Sequence, residues 1–257
     1  MCYKILTKSV IPCPDIKKYK KFLFIGAHGG DIEKGAGATV AKLVRSGKDV
    51  KFVITTDSAE LVVPQNLDRE KRVEIRNKET LCSAMILGVK EVEFMQFKFE
   101  ESKTIDDITK ELLKVFNDHK PDAVFICDPT TPNEILPDDY LTARAAEKAF
   151  LICRNAYLAE NYGIEQQKIK AICYYNSLKN NYCISTIGYA DTKLQAIMAH
   201  SSLLPEKAYE KYSVMRSYRY LIKLNMLKAG FFKGKLLAEG FRVVSGSATH
   251  NLPETNY

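Results

Sequence analysis

No two of the seven cysteines stand at Cys-x-x-Cys spacing, and their number is odd. This pattern excludes a paired zinc–thiolate site and gives no disulfide framework. Cys82, Cys127 and Cys173 lie in apolar runs and are expected as small buried hydrophobes in a reducing compartment. Long hydrophobic runs are also missing. Nothing approaches a membrane span, and the first residues lack the apolar region of a signal peptide. The expectation is a cytoplasmic protein with no membrane span. No Lys/Arg block interleaved with aromatics occurs, which argues against nucleic acid as a partner. The net charge of +7 leaves room for acidic small partners such as phosphorylated or uronic sugars. Repeats, low-complexity tracts and linkers are absent from the 257 residues, so one domain is expected, alone or as a homo-oligomer. Histidine is scarce, with only His28, His119, His200 and His250.

What the chain does have is a strand–turn–helix rhythm. Phe22–Ala27 reads as a buried strand, the small-residue turn His28-Gly29-Gly30-Asp31 follows, and Gly35–Arg45 repeats apolar residues at helical spacing. Val50–Thr56, Val92–Met95 and Ala123–Cys127 read as further strands. Between them lie a helix over Arg69–Leu87, capped by Asp68 and stopped at Gly88, and another that Thr104 caps and Pro121 ends. Tyr140–Ala159 reads as one helix. These βαβ units predict an α/β, Rossmann-like, mostly parallel sheet flanked by helices. The rhythm then changes. Lys170–Tyr175, Cys183–Ile187 and Phe241–Val244 are expected as strands, and Lys193–His200 and Pro205–Lys228 as helices. Residues 20–165 should form the Rossmann-like core, with 166–257 packing beside the sheet.

Open α/β sheets bind ligands at the carboxyl ends of their strands, where His28 and Asp31 sit. His28-x-x-Asp31 is a plausible metal pair, and a catalytic zinc site needs a third ligand. The natural donor is the loop after the fourth strand, which holds Asp128, Glu134, Asp138 and Asp139. The competing reading makes Asp31 and Asp139 helix N-caps and His28 a hydrogen-bonded loop histidine. Asp139 directly precedes an apolar-periodic helix, so capping is expected of it in either case. His119 sits at a helix end and His250 in a polar tail. A Rossmann nucleotide site is a rival, with Asp57 at the end of the second strand, but Gly35-x-Gly37 is followed by Val40 where a third glycine should fall.

Ala27-His28-Gly29-Gly30-Asp31 resembles the Ala-His-Pro-Asp-Asp-Glu signature of the LmbE/PIG-L family of amino-sugar N-deacetylases. The resemblance continues in order along nearly the whole chain. Thr56-Asp57 falls at the family's Thr-Asp-Gly, and Arg76-x-x-Glu79 with Leu87-Gly88-Val89 at its Arg-x-x-Glu and Leu-Gly-Val. Lys120-Pro121-Asp122 and Asp128-Pro129 fall at its Lys-Pro-Asp strand and Asp-Pro turn. Pro137-Asp138-Asp139 falls at its His-Pro-Asp-His. Lys193, Ala196, His200 and Ser202 are similar to its C-terminal helix, and Ala238-Glu239-x-Phe241 to its Ala-Glu-x-Phe.

The resemblance implies a divalent ion, zinc foremost, on His28, Asp31 and Asp139, the last replacing a histidine. It also implies losses. The family's general base is the signature's first Asp, here Gly30. The histidine that assists the leaving group is here Leu136, so Asp138, which would orient it, is expected to have nothing to orient. Glu33 or Glu134 is the nearest substitute carboxylate. Arg76, Asp57 and Asp128 are expected to face the substrate. The implied activity is metal-dependent deacetylation of an N-acetylglucosamine-like or other sugar-linked amide, weakened at the proton-transfer steps. The alternatives are a non-hydrolytic descendant that binds a sugar-like ligand and, more remotely, a nucleotide-dependent Rossmann enzyme.

Overall fold

A computed structural model describes residues 13–62, 66–98, 103–132, 135–205, 207–231 and 234–247. Cys2, Glu134 and His250 lie outside the described residues. The first strand, β1 (Lys21–Gly26), is buried at every position after Lys21. A strand apolar on both faces belongs in the middle of a parallel sheet, with helices covering each side. That is its place. β1 pairs in parallel with β2 (Asp49–Thr56) on one side and β4 (Ala123–Cys127) on the other. β3 (Glu91–Phe97) flanks β2, and β5 (Ala171–Tyr175) flanks β4, both also parallel. The full order is β3-β2-β1-β4-β5-β7-β6, in which β6 is Tyr182–Ser185 and β7 is Ala238–Ser245.

Alternate residues of β1 serve two cores. Phe22 and Phe24 point to one face, where Phe24 stacks on Phe125 at 4.3 Å and Phe125 meets Phe241 edge-on at 5.2 Å. Helix α1 (Asp31–Arg45) covers this face with Ile32, Ala36 and Val40. Leu23 and Ile25 point to the other, under α3 (Ile105–His119) and α4 (Pro137–Arg154). Helix α2 (Arg69–Leu87) has the expected Asp68 cap, whose carboxylate accepts from Lys71 N–H, and Thr104 closes a capping box with Asp107 on α3.

Several expectations need correction. The C-terminal third does not merely pack beside the sheet. β5, β7 and β6 extend it, with antiparallel pairing on both sides of β7. Helix α4 begins at Pro137, because proline is preorganised for the first helical position, and it ends at Arg154. Asn155 breaks the single helix expected over Tyr140–Ala159 by capping a short α5 (Ala156–Asn161) through Leu158 N–H. Asp139 is therefore not an N-cap. Leu136 holds that position without a side-chain bond, and Asp139 lies inside the first turn. Cys82 is exposed rather than buried. Helix α6 (Ala190–Met198) packs on α1 and α2 and delivers His200 to them, and α7 (Ala208–Phe231) follows. No helix among the described residues is long and apolar enough to cross a membrane.

Candidate metal centre

The turn after β1 is held from three directions. Thr56, at the end of β2, donates its N–H and its hydroxyl to Ala27 O at 3.0 and 2.7 Å. Arg76 on α2 donates from Nη2 to Gly29 O at 2.5 Å. The Asp31 carboxylate reaches back to accept the His28 N–H at 2.7 Å. Gly30 turns the chain into α1 at φ 105°, in the left-handed region that suits glycine. Gly29 is pressed so closely on α2 that a Cβ there would stand 2.1 Å from Thr80 Oγ1.

This turn aims His28 at the first turn of α4. Its Nδ1 lies 3.5 Å from Asp31 Oδ2 and 3.5 Å from Asp139 Oδ2, and its Nε2 lies 3.3 Å from Asp138 Oδ2. His28 and Asp139 are each only 5% exposed. Ligand atoms of His28, Asp31 and Asp139 all fall within 4.8 Å of one another. His28 Nδ1 closes no hydrogen bond although it is buried. An unsatisfied imidazole nitrogen between two carboxylates is the donor set a divalent ion takes, so the residues fit the group.

Burial alone would lower the imidazole pKa of His28, but Asp138, Asp139 and Asp31 overrule it and carry it up to about 12. Without an ion, both ring nitrogens hold protons. In that state the charge stabilises the fold fully below the ordinary imidazole pKa, and the contribution declines as pH climbs towards 12. A cation must displace the Nδ1 proton. Zinc affinity is therefore expected to rise with pH through the neutral range, by roughly tenfold per unit. Chelator competition at several pH values measures it, and a flat profile would contradict the assignment.

A profile of the PIG-L family, GlcNAc-PI de-N-acetylase, matches residues 23–150. Over 240 residues the chain is 30% identical to the diacetylchitobiose deacetylase of Thermococcus kodakarensis, which covers 91% of this chain and 86% of the relative. The chain belongs to the PIG-L family. The N,N'-diacetylchitobiose deacetylase of Pyrococcus horikoshii, solved with its inhibitor MPG, superposes with a TM-score of 0.85 at 28% identity, covering 99% of this chain and 96% of that one. GalB, the 4-carboxy-2-hydroxymuconate hydratase of Pseudomonas putida KT2440, shares the fold at a TM-score of 0.71 and 19% identity, covering 88% of this chain and 96% of that one. A hydratase on this scaffold shows that the PIG-L fold by itself does not fix the reaction.

The other residues singled out from the sequence have their own partners. Arg76 is 1% exposed and bonds Glu79 Oε2 at 2.7 Å and Gly29 O, so it braces the turn. Asp57 accepts from Arg69 at 2.8 Å and from Ala59 N–H. Asp128 accepts two bonds at 3.0 Å from Arg242. Its desolvation is outweighed by Arg242, Ser177 and Thr130, which bring its pKa to about 2. Glu33, in the first turn of α1, is buried against α2, bonded to Ser83 Oγ at 2.5 Å and to His200 Nε2 at 3.2 Å. Asp138 does have a histidine beside it, namely His28 at 3.3 Å, and its other oxygen takes Lys103 Nζ at 2.5 Å. Lys103 was not visible as a site residue, because no motif marks it and only the fold brings it to α4.

Proposed function

We propose that the chain is a divergent metal-dependent N-deacetylase acting on an N-acetylglucosamine-like sugar amide. His28, Asp31 and Asp139 hold its divalent ion, with zinc the first candidate. The observation that carries this reading is the triad, two of whose three residues are buried, in a chain 30% identical to a diacetylchitobiose deacetylase. When bound, the ion supplies Lewis-acid polarisation of an amide carbonyl and of a water. Two carboxylates and one imidazole make a harder donor set than two imidazoles and one carboxylate, which favours oxygen-loving ions.

The chain's own proton handling is weak. Gly30 offers no base, and Leu136, 41% exposed at the start of α4, offers no acid. Each such loss typically costs on the order of 10²–10⁴ in rate. Asp138 does not replace them, since both its oxygens are engaged, and Glu33 is tied to Ser83 and His200. A cavity of about 470 Å³ lies beside α1, β6 and α7, but none of His28, Asp31 and Asp139 lines it, so it carries no part of this reading.

Slow, ion-dependent acetate release from N,N'-diacetylchitobiose is the expected result, on the order of 10²–10⁴ below the Thermococcus relative assayed beside it. Gly30 and Leu136 together favour a second reading, a binding protein that retains the centre. Ion-loaded protein that binds the sugar and releases no acetate would select that reading and reject hydrolysis.

A further inference from the structure

Behind His28, on the side away from Asp31 and Asp139, runs a buried chain of two contacts. Asp138 Oδ2 stands 3.3 Å from His28 Nε2, and Asp138 Oδ1 stands 2.5 Å from Lys103 Nζ. The side chains of Lys103, Asp138 and His28 are 5%, 4% and 6% exposed. Lysine is rarely so buried unless paired, and a buried pair has to recover a desolvation cost of several kcal/mol per ion. Stability alone is weak grounds for keeping it, because apolar residues of similar volume do as well or better.

The geometry suggests a different use. A ligating imidazole needs its second nitrogen tied, so that the proton stays there and the ring cannot turn away. Asp138 is the acceptor at that nitrogen. The ammonium of Lys103 occupies the carboxylate's other oxygen and fixes its plane. We propose that Asp138, anchored by Lys103, is a positioning residue that keeps the proton on His28 Nε2 and presents Nδ1 to the ion. The proposal rests on the reading of His28, Asp31 and Asp139 as the metal centre. It requires nothing of the deacetylation step.

The decisive variant is Lys103→Met with Asp138→Ala. It removes one positive and one negative charge together, so the net charge around the ion is unchanged and no unpaired buried charge is left behind. Zinc affinity, measured by chelator competition, is expected to fall about 10–100-fold. Nitrogen NMR of the zinc-loaded protein should show His28 protonated only at Nε2 in the unaltered chain, and a loss of that single tautomer in the variant. Asp138→Asn keeps an acceptor oxygen and should fall between the two in affinity. If the double variant fails to fold, Lys103→Met with Asp138→Asn, which keeps both the charge balance and an acceptor oxygen, carries the same test through the His28 tautomer. Unchanged zinc affinity with an unchanged His28 signature, in a folded variant of a zinc-binding parent, would overturn this proposal and leave the centre standing. A parent chain that holds neither zinc nor an oxygen-preferring divalent ion such as manganese would overturn both. Acetate release judges the deacetylase reading separately.

Discussion

Gly30→Asp, Leu136→His and Asp139→His, introduced together, are expected to raise acetate release from N,N'-diacetylchitobiose by on the order of 10²–10⁴. The first change restores a carboxylate at the position of the family's general base, the second an imidazole at the start of α4, and the third a softer ligand. The structure accommodates the first at a cost. A Cβ on Gly30 would meet the His200 ring at 3.6 Å, which is ordinary contact. The backbone there has φ 105°, where an L-residue is strained by about 1–2 kcal/mol, and aspartate tolerates the left-handed region better than most residues. The triple variant should therefore be slightly less stable and considerably faster. Gly29 is left alone, because any side chain there runs into Thr80. Acetate assay with added zinc, alongside thermal unfolding, gives the result. A folded triple variant no faster than its parent would show that the pocket has diverged beyond these three positions.

Arg76→Met should destabilise the fold by about 3–5 kcal/mol, read by chemical denaturation. The guanidinium is buried and does three things at once. It neutralises Glu79 at 2.7 Å, holds Gly29 O at 2.5 Å and lies 3.4 Å from His200 Nδ1. Without it, Glu79 keeps its bonds from Ser201 and Ser202 but loses its counter-charge. The Gly29 carbonyl loses its partner, and with it the turn that carries His28 and Asp31. A loss of under about 1 kcal/mol, the size of a surface ion pair, would contradict this role.

Much of the fold could be read from residues. The apolar run of β1, the Asp68 and Thr104 caps and the stop at Gly88 are local signals, and local physics decided them. So is the His28-x-x-Asp31 turn, and position in the motif brought in Asp139. What stayed hidden depends on long-range packing. Lys103 reaches Asp138 across 35 positions of sequence. Glu33 meets Ser83 on α2 and His200 in the turn after α6. Arg76 falls on the buried stripe of α2 with Thr80, Ser83, Ala84 and Leu87, but what lets a charged residue stay there is Gly29, Glu79 and His200 converging on it. The misplaced cap has a simpler cause. Helical periodicity locates the apolar stripe well, but the first turn of α4 is polar, so Pro137 rather than the stripe sets the start.

On the proposed reading, His28, Asp31 and Asp139 hold one divalent ion. Crystals of protein purified without chelator and supplied with zinc would test it by anomalous diffraction at the zinc edge. The predicted result is a single peak in contact with His28 Nδ1 and with a carboxylate oxygen of both Asp31 and Asp139, absent from Asp31→Ala crystals. A difference map empty at that point, with the His28 ring still lying between the two carboxylates, would contradict it.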